Sequence, residues 1–269
     1  MEFFTKHRVI ADVARDLHTS LGHEFDDAPI DMNVAIHNRV VERRPGRLII
    51  GVQTEHFGIG GLSQGWVKSD TALLRDNIAR CDVIIDFAER NIPFYAEMGI
   101  ETDARFHFGP YVFPQAQPEP HSNTSDKAIF FGTLGNKINP DAINSSSRSE
   151  RLETYQKVLD IEVVSGRFNE RLKRLLSEYG LIANVHYIND VYTEVPRYLK
   201  AFLNGMVLLS EPLEAPFIAG RHYALIDAPL PSPAERQQIL ANIHADFAPY
   251  QLAPLLRQLQ SQWQGTTSA

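Results

Sequence analysis

VPRYLKAFLNGMVLLSEPLEAPFIAG, residues 195–220, carries in one stretch the unit from which the rest of the chain is built. Pro196 suits the first turn of a helix, where its missing N–H would have no helical partner. Apolar side chains then recur at helical spacing as far as Asn204 and Gly205, and the glycine closes the run. Residues 206–209, MVLL, are continuously apolar, as befits a strand covered on both faces. Helix, glycine and buried strand in that order mark one turn of a βα series.

The same alternation extends in both directions. Upstream, residues 128–131 read as a strand, 136–148 as a polar loop, 149–160 as a helix and 161–165 as a strand. Residues 169–179 read as an amphipathic helix and 181–187 as another strand. Downstream, 224–226 is a last strand, and 233–247 and 250–263 are terminal helices with a frayed tail. In the first half, 6–22 and 71–80 carry helical patterns, 93–98 a short one, and 34–36, 48–52, 83–87 and 105–108 read as strands. Alternating helices and apolar strands predict mainly parallel sheets in an α/β protein. Between the halves, PQAQPEPHSNTSD at 114–126 holds three prolines and almost nothing apolar, the composition of a linker. The expected division is a domain at 1–113, a linker at 114–127, a domain at 128–248 and a closing helix and tail at 249–269.

Bulk properties exclude several classes. The 269 residues are 43% hydrophobic and 22% charged, an ordinary globular balance. The net charge of −7 offers no general attraction to nucleic acid, so none is expected as a partner. The one cysteine, Cys81, permits neither an intrachain disulfide nor a cysteine zinc cluster, and reads as a core residue. No run approaches the roughly 20 apolar residues of a membrane span, and no leader pattern opens the chain. A cytoplasmic protein is expected. The histidines lack metal-ligand spacing such as HExxH, so no metal site is expected, and no serine lies in a nucleophile elbow.

In parallel sheets ligands bind beyond the carboxyl ends of the strands. In the second half those positions are Gly132 and Thr133, Gly166 and Arg167, His186 and Tyr187, and Ser210 and Glu211. A helix amino end there could hold a diphosphate through free N–H groups. Arg167 and Arg197 are the cationic candidates for the same phosphates; the competing reading makes both of them surface ion pairs.

Residues 195–220 resemble the nucleotide-sugar segment of GT-B glycosyltransferases, most of all the branch grouped with the CgeB-like proteins. The shared features are the Pro196-Arg197 opening, Gly205 before the strand, Ser210-Glu211 at its end, and Phe217 and Gly220 beyond. NVHY at 184–187 and FFGTL at 130–134 fit the same pattern. The resemblance covers residues 128–227, and the first half only by general architecture. It implies two Rossmann-like domains, the first short, with a donor site in the second and an acceptor site in the first, and transfer in the cleft between them. It implies a hexosyltransferase-like enzyme that uses a nucleotide-diphosphate sugar as donor substrate and needs no cofactor or metal. The acceptor would be a hydroxyl on a glycan, lipid, protein or small molecule. Gly132, Thr133, Arg167, His186, Tyr187, Arg197, Ser210 and Glu211 would bind the donor. Lys200 stands where many retaining members carry a ribose-binding glutamate, leaving that contact to Glu211 or Glu214. A typical first domain opens with a strand, whereas this chain reads as opening near its first helix.

In the first half, QTEHFGIGG at 53–61 follows a strand, and Glu55 or His56 is the candidate catalytic base toward an acceptor hydroxyl. A loop carboxylate and a satisfied histidine are the alternative reading of the pair. Asp86 and Glu89 come next, with helix capping as their alternative. The rival function is a catalytically silent binding or assembly subunit of the same fold. A nicotinamide oxidoreductase is remote, because the glycine fingerprint is absent.

Overall fold

The computed structural model describes residues 1–57, 71–132, 134, 148–187 and 190–267. The chain divides into two compact units: Met1–Gln115 with Ala248–Ala269, and Ala116–Phe247.

In the first unit the order is β1 (Glu2–Phe4), α1 (Arg8–Leu21), β2 (Ile30–Val34), β3 (Leu48–Gln53), α2 (Thr71–Arg80), β4 (Val83–Asp86), α3 (Ile92–Glu97) and β5 (Phe106–Phe108). All five strands are parallel and lie in sequence order. A sheet wound in one direction contains no reversal of strand order. Ile49, Ile84 and Phe106 from the sheet bury with Leu74 and Ile78 of α2 and Tyr95 of α3, and Cys81 lies in the same cluster. β1 corrects the expectation that the chain opens near its first helix. Three residues are too few to show a period of two, so this edge strand is invisible in the pattern. The strand expected at 34–36 lies earlier, at 30–34, and residue 36 begins a short 3₁₀ turn.

The second unit runs β6 (Ala128–Phe131), α4 (Arg148–Tyr155), β7 (Ile161–Val164), α5 (Asn169–Leu176), β8 (Leu181–Asn184), α6 (Val195–Leu203), β9 (Val207–Ser210), β10 (Ala224–Leu225) and α7 (Pro233–Asp246). Its five strands are also parallel, in the order β10-β9-β8-β6-β7. From β6 the chain steps outward one way to β7, and from β8 it steps the other way to β9 and β10. The order therefore reverses between β6 and β8, and the carboxyl edge there is where such sheets open a crevice. Both units are thus parallel α/β layers, and in that respect Rossmann-like.

The proline-rich stretch is seated on the second unit. Gly205 has φ +63°, and a Cβ there would fall on the carbonyl oxygen of Glu119. A Cβ at Gly180 would meet the carbonyl oxygen of Ser125. The His121 N–H donates to Gly205 at 2.9 Å. Arg236, buried on α7, donates to Ser125 O at 2.7 Å and to Thr124 O at 3.2 Å, and pairs with Asp126.

The chain closes with α8 (Leu252–Thr267), which belongs to the first unit. Leu252 N–H donates to Phe113 O, and Leu252, Leu255, Leu256 and Leu259 are buried. This helix continues past residue 264, where fraying was expected. Among the described residues no helix is long and apolar enough to cross a membrane.

Candidate functional site

At the reversal in the second sheet, β6 ends at Phe131-Gly132 and β8 at Asn184. One side chain joins them. The Arg197 guanidinium, from the first turn of α6, donates to Asn184 Oδ1 and, at 3.2 Å, to Phe131 O. It pairs with Glu194 Oε2 at 2.8 Å and lies 4.7 Å from the Phe130 ring centre. Gly132 makes room for it: at φ +138°, a Cβ would stand 3.1 Å from Arg197 Nη2. Burial lowers the Arg197 pKa to about 10, with Glu194 opposing the shift and Arg148 adding to it, so the group stays charged at neutral pH. Its Nε is buried with no hydrogen-bond partner among the described residues.

Two more arginines arrive from α4. Arg148 lies over the rings of Phe130 and Tyr187, at 5.5 and 5.4 Å, and pairs with Glu194 Oε1. Arg151 donates to Glu211 Oε1 at 2.8 Å and to His186 O. Glu211 also accepts from the Tyr155 hydroxyl at 3.2 Å and from His186 N–H at 2.7 Å. Arg151 and Tyr155, with Glu150 and Thr154, line a crevice of about 280 Å³. His186 is fully buried, with its Nε2 2.9 Å from Pro212 O. A carbonyl can only accept, so Nε2 carries the proton and Nδ1 is a bare lone pair; it has no partner among the described residues. Burial holds the His186 pKa down, favouring this neutral form.

The structure brings Gly132, His186, Tyr187, Arg197 and Glu211 to one edge. Thr133 lies outside the described residues. Arg167 is exposed, and no bond joins it to this cluster among the described residues. Ser210 is fully buried: its hydroxyl accepts from Asn184 Nδ2 at 2.9 Å and donates to Glu211 O at 2.6 Å. The hydroxyl expected to bind the donor is engaged in these internal hydrogen bonds. Arg197 likewise forms a buried ion pair rather than a surface one. The amino end of α6 has no N–H to offer at its first three positions. Val195 N–H bonds Thr193 O, Pro196 has none, and Arg197 N–H bonds Glu194 O. Positive charge here comes from guanidiniums, not from free amides.

Arg148, Arg151 and Glu194 were not anticipated. Arg148 and Arg151 fall three apart on a helix, a spacing visible in the sequence, but their partners come from β8, β9 and α6 and depend on the sheet order.

The first sheet has its own carboxyl edge. Glu55 and His56 are half-buried in the turn after β3, and the Glu55 carbonyl accepts from Gln53 Nε2 at 3.0 Å and Asn91 Nδ2 at 2.9 Å. Gly58, Gly60 and Gly61 lie outside the described residues. Asp86, at the end of β4, is fully buried and accepts from Asn91, Tyr95 and the Ala88 N–H. These bonds hold the turn after β4; Ala88 and Asn91, the residues that precede the two short helices there, make no side-chain capping bond, so the helix capping given as the alternative is not the role of Asp86. Sequence reasoning passed over His37, which follows Ala35, a non-glycine residue in the left-handed region at φ 60°. His37 Nδ1 lies 3.0 Å from Gln53 Oε1. Because Gln53 Nε2 donates to Glu55, its Oε1 must be the atom facing the imidazole. His37 therefore carries its proton on Nδ1, leaving Nε2 as the basic nitrogen.

Among the described residues, no three His, Cys, Asp or Glu side chains gather in a way that could hold a metal ion. Compared with known proteins, the chain matches no family model and no curated sequence.

Proposed function

We propose that this chain is a glycosyltransferase that moves a sugar from a nucleotide-diphosphate donor to a hydroxyl acceptor without a metal. The donor diphosphate lies at the carboxyl edge of the second sheet, and the acceptor is served from the corresponding edge of the first, by Glu55 or His56. One observation carries the reading. Where the strand order reverses, Arg148, Arg151 and Arg197 crowd the ends of β6, β8 and β9. Guanidiniums fixed in a low-dielectric setting offset the charge that gathers on a departing nucleoside diphosphate. Tyr187, half-buried beside Arg148, offers a ring to a base or sugar face.

The test is a thermal-shift series with UDP, GDP, ADP, CDP and TDP. A ligand at a hundred times its Kd stabilises the native state by about 2.7 kcal/mol, which a melting curve resolves readily. One nucleotide should raise the Tm by several degrees. A flat series ends the proposal.

The burial of Ser210 and its internal hydrogen bonds favour a second reading, a silent binding or assembly subunit, and Lys200 points the same way. Donor hydrolysis measured across a sugar-nucleotide panel separates the two. Turnover excludes the silent subunit, and binding without turnover supports it.

A further inference from the structure

Two buried guanidiniums in the second unit converge on a single carboxylate. Arg148 takes Glu194 Oε1, and Arg197 takes Oε2. Both cations are held against the ring of Phe130, so their positions do not depend on the glutamate alone. The three side chains form a gradient of depth: Arg148 is 6% exposed, Arg197 9% and Glu194 21%. The carboxylate is the outermost of the three.

Glu194 is also the residue before the first turn of α6, yet its side chain makes no capping bond. The backbone does that work, its carbonyl accepting from Arg197 and Tyr198 N–H. Main chain and side chain are thereby uncoupled, and the carboxylate can leave without unravelling the helix. Each glutamate also accepts from a tyrosine hydroxyl, Glu194 from Tyr192 at 3.4 Å and Glu211 from Tyr155 at 3.2 Å, but Glu211 is only 9% exposed and takes a backbone N–H as well. A second observation shows that the glutamate does not exhaust its cations. Arg197 Nε is a buried donor without a partner among the described residues. A phosphate has more oxygens and more charge than a carboxylate, and can satisfy both guanidiniums together.

We propose that Glu194 is a built-in substitute for phosphate, occupying the seat between Arg148 and Arg197 until an incoming diphosphate displaces it. This rests on the donor-site reading above. The glutamate keeps two buried cations paired in the empty protein, since an uncompensated buried charge is strongly destabilising. It also weakens ligand binding by competing for the same donors, and so sets the affinity.

The experiment is isothermal titration calorimetry of the full chain with inorganic pyrophosphate, on wild type, Glu194→Gln and Glu194→Asp. Removing the competing charge should lower the pyrophosphate Kd of Glu194→Gln by about tenfold or more, given the strength of charge-assisted bonds. Glu194→Asp, which keeps the charge on a shorter arm, should fall between. Without anion the Gln variant should melt below wild type, and pyrophosphate should raise its Tm by more. Should the Gln variant not fold, the Asp variant decides alone.

Equal or weaker pyrophosphate binding by the variants overturns the substitute-anion role; if wild type still binds a nucleoside diphosphate, the donor reading survives. Tighter pyrophosphate binding with no response to any nucleoside diphosphate supports the substitute and ends the donor reading. No anion binding by any form overturns both.

Discussion

The guanidinium of Arg197 donates to the side-chain oxygen of Asn184, and through its other arm to the carbonyl of Phe131. One side chain from α6 thus bridges β8 and β6 at the point where the sheet changes direction. Lysine has a single ammonium and cannot span both acceptors and Glu194. Arg197→Lys should destabilise the protein by about 3 kcal/mol, in the range for breaking a buried pair. Equilibrium urea unfolding checks this; a loss below about 0.5 kcal/mol would show the bridge to be dispensable.

Gly205 and Gly220 share a left-handed backbone, at φ +63° and +74°, but not their surroundings. Alanine at 220 meets nothing within 4 Å and should cost only the backbone strain, about 1 kcal/mol. Alanine at 205 adds a collision with the Glu119 backbone and should cost about 3 kcal/mol or more by unseating residues 119–121. Melting temperatures of the two variants should separate clearly. Equal shifts would mean that the proline-rich stretch is not held where the structure puts it.

His37 gives the protein a particular acid sensitivity. Burial lowers its pKa from 6.5 to about 4, opposed by the hydrogen bond to Gln53. Below pH 6.5 the unfolded chain takes up a proton that the folded chain refuses, so stability falls as pH falls through that window and levels off near 4. The slope is about 1.4 kcal/mol per pH unit, or about 2 kcal/mol between pH 7 and 5. In urea unfolding, His37→Gln should lose that much less over the same interval. An unchanged pH dependence would rule His37 out as its source.

Tyr95 donates to Asp86 Oδ2 at 2.6 Å inside the first unit. Burial, followed by the neighbouring carboxylate, pushes the tyrosine pKa well up, so the phenol remains a donor throughout the accessible range. Tyr95→Phe keeps the ring contacts with Phe57 and Phe106 and removes one charge-assisted bond. The expected loss is about 1.5–3 kcal/mol by chemical denaturation. A neutral result would mean that Asn91 and Ala88 already satisfy the carboxylate.

The βα order was legible because long apolar runs such as 48–52 and 206–209 are strands whatever surrounds them. Polar strands were not. Residues 30–34 contain Asp31 and Asn33, and Asp31 is buried because Arg44 and Arg47, from the segment before β3, neutralise it. No local pattern announces that rescue. At the site, the rule of strand ends picked out His186 and Glu211, since it needs only to know where strands stop; Arg197 was named separately, as a cation for phosphate at a helix opening. It could not pick out Arg148 or Glu194. Their relation to Arg197 follows from β6 lying beside β8, a pairing made across fifty residues of chain. His37 escaped for a similar reason: its importance comes from Gln53 on the neighbouring strand, sixteen positions away.

The return of α8 to the first unit has a consequence for biogenesis. Residues 116–247 form an uninterrupted segment that leaves the ribosome whole, whereas the opening sheet waits for the final twenty residues to cover α1 and Phe113. This arrangement predicts the inverse of the usual order, in which the amino-terminal domain matures first. Nascent chains halted near residue 247 should expose apolar surface of the first unit to chaperones and proteases, while the inserted segment completes its own fold.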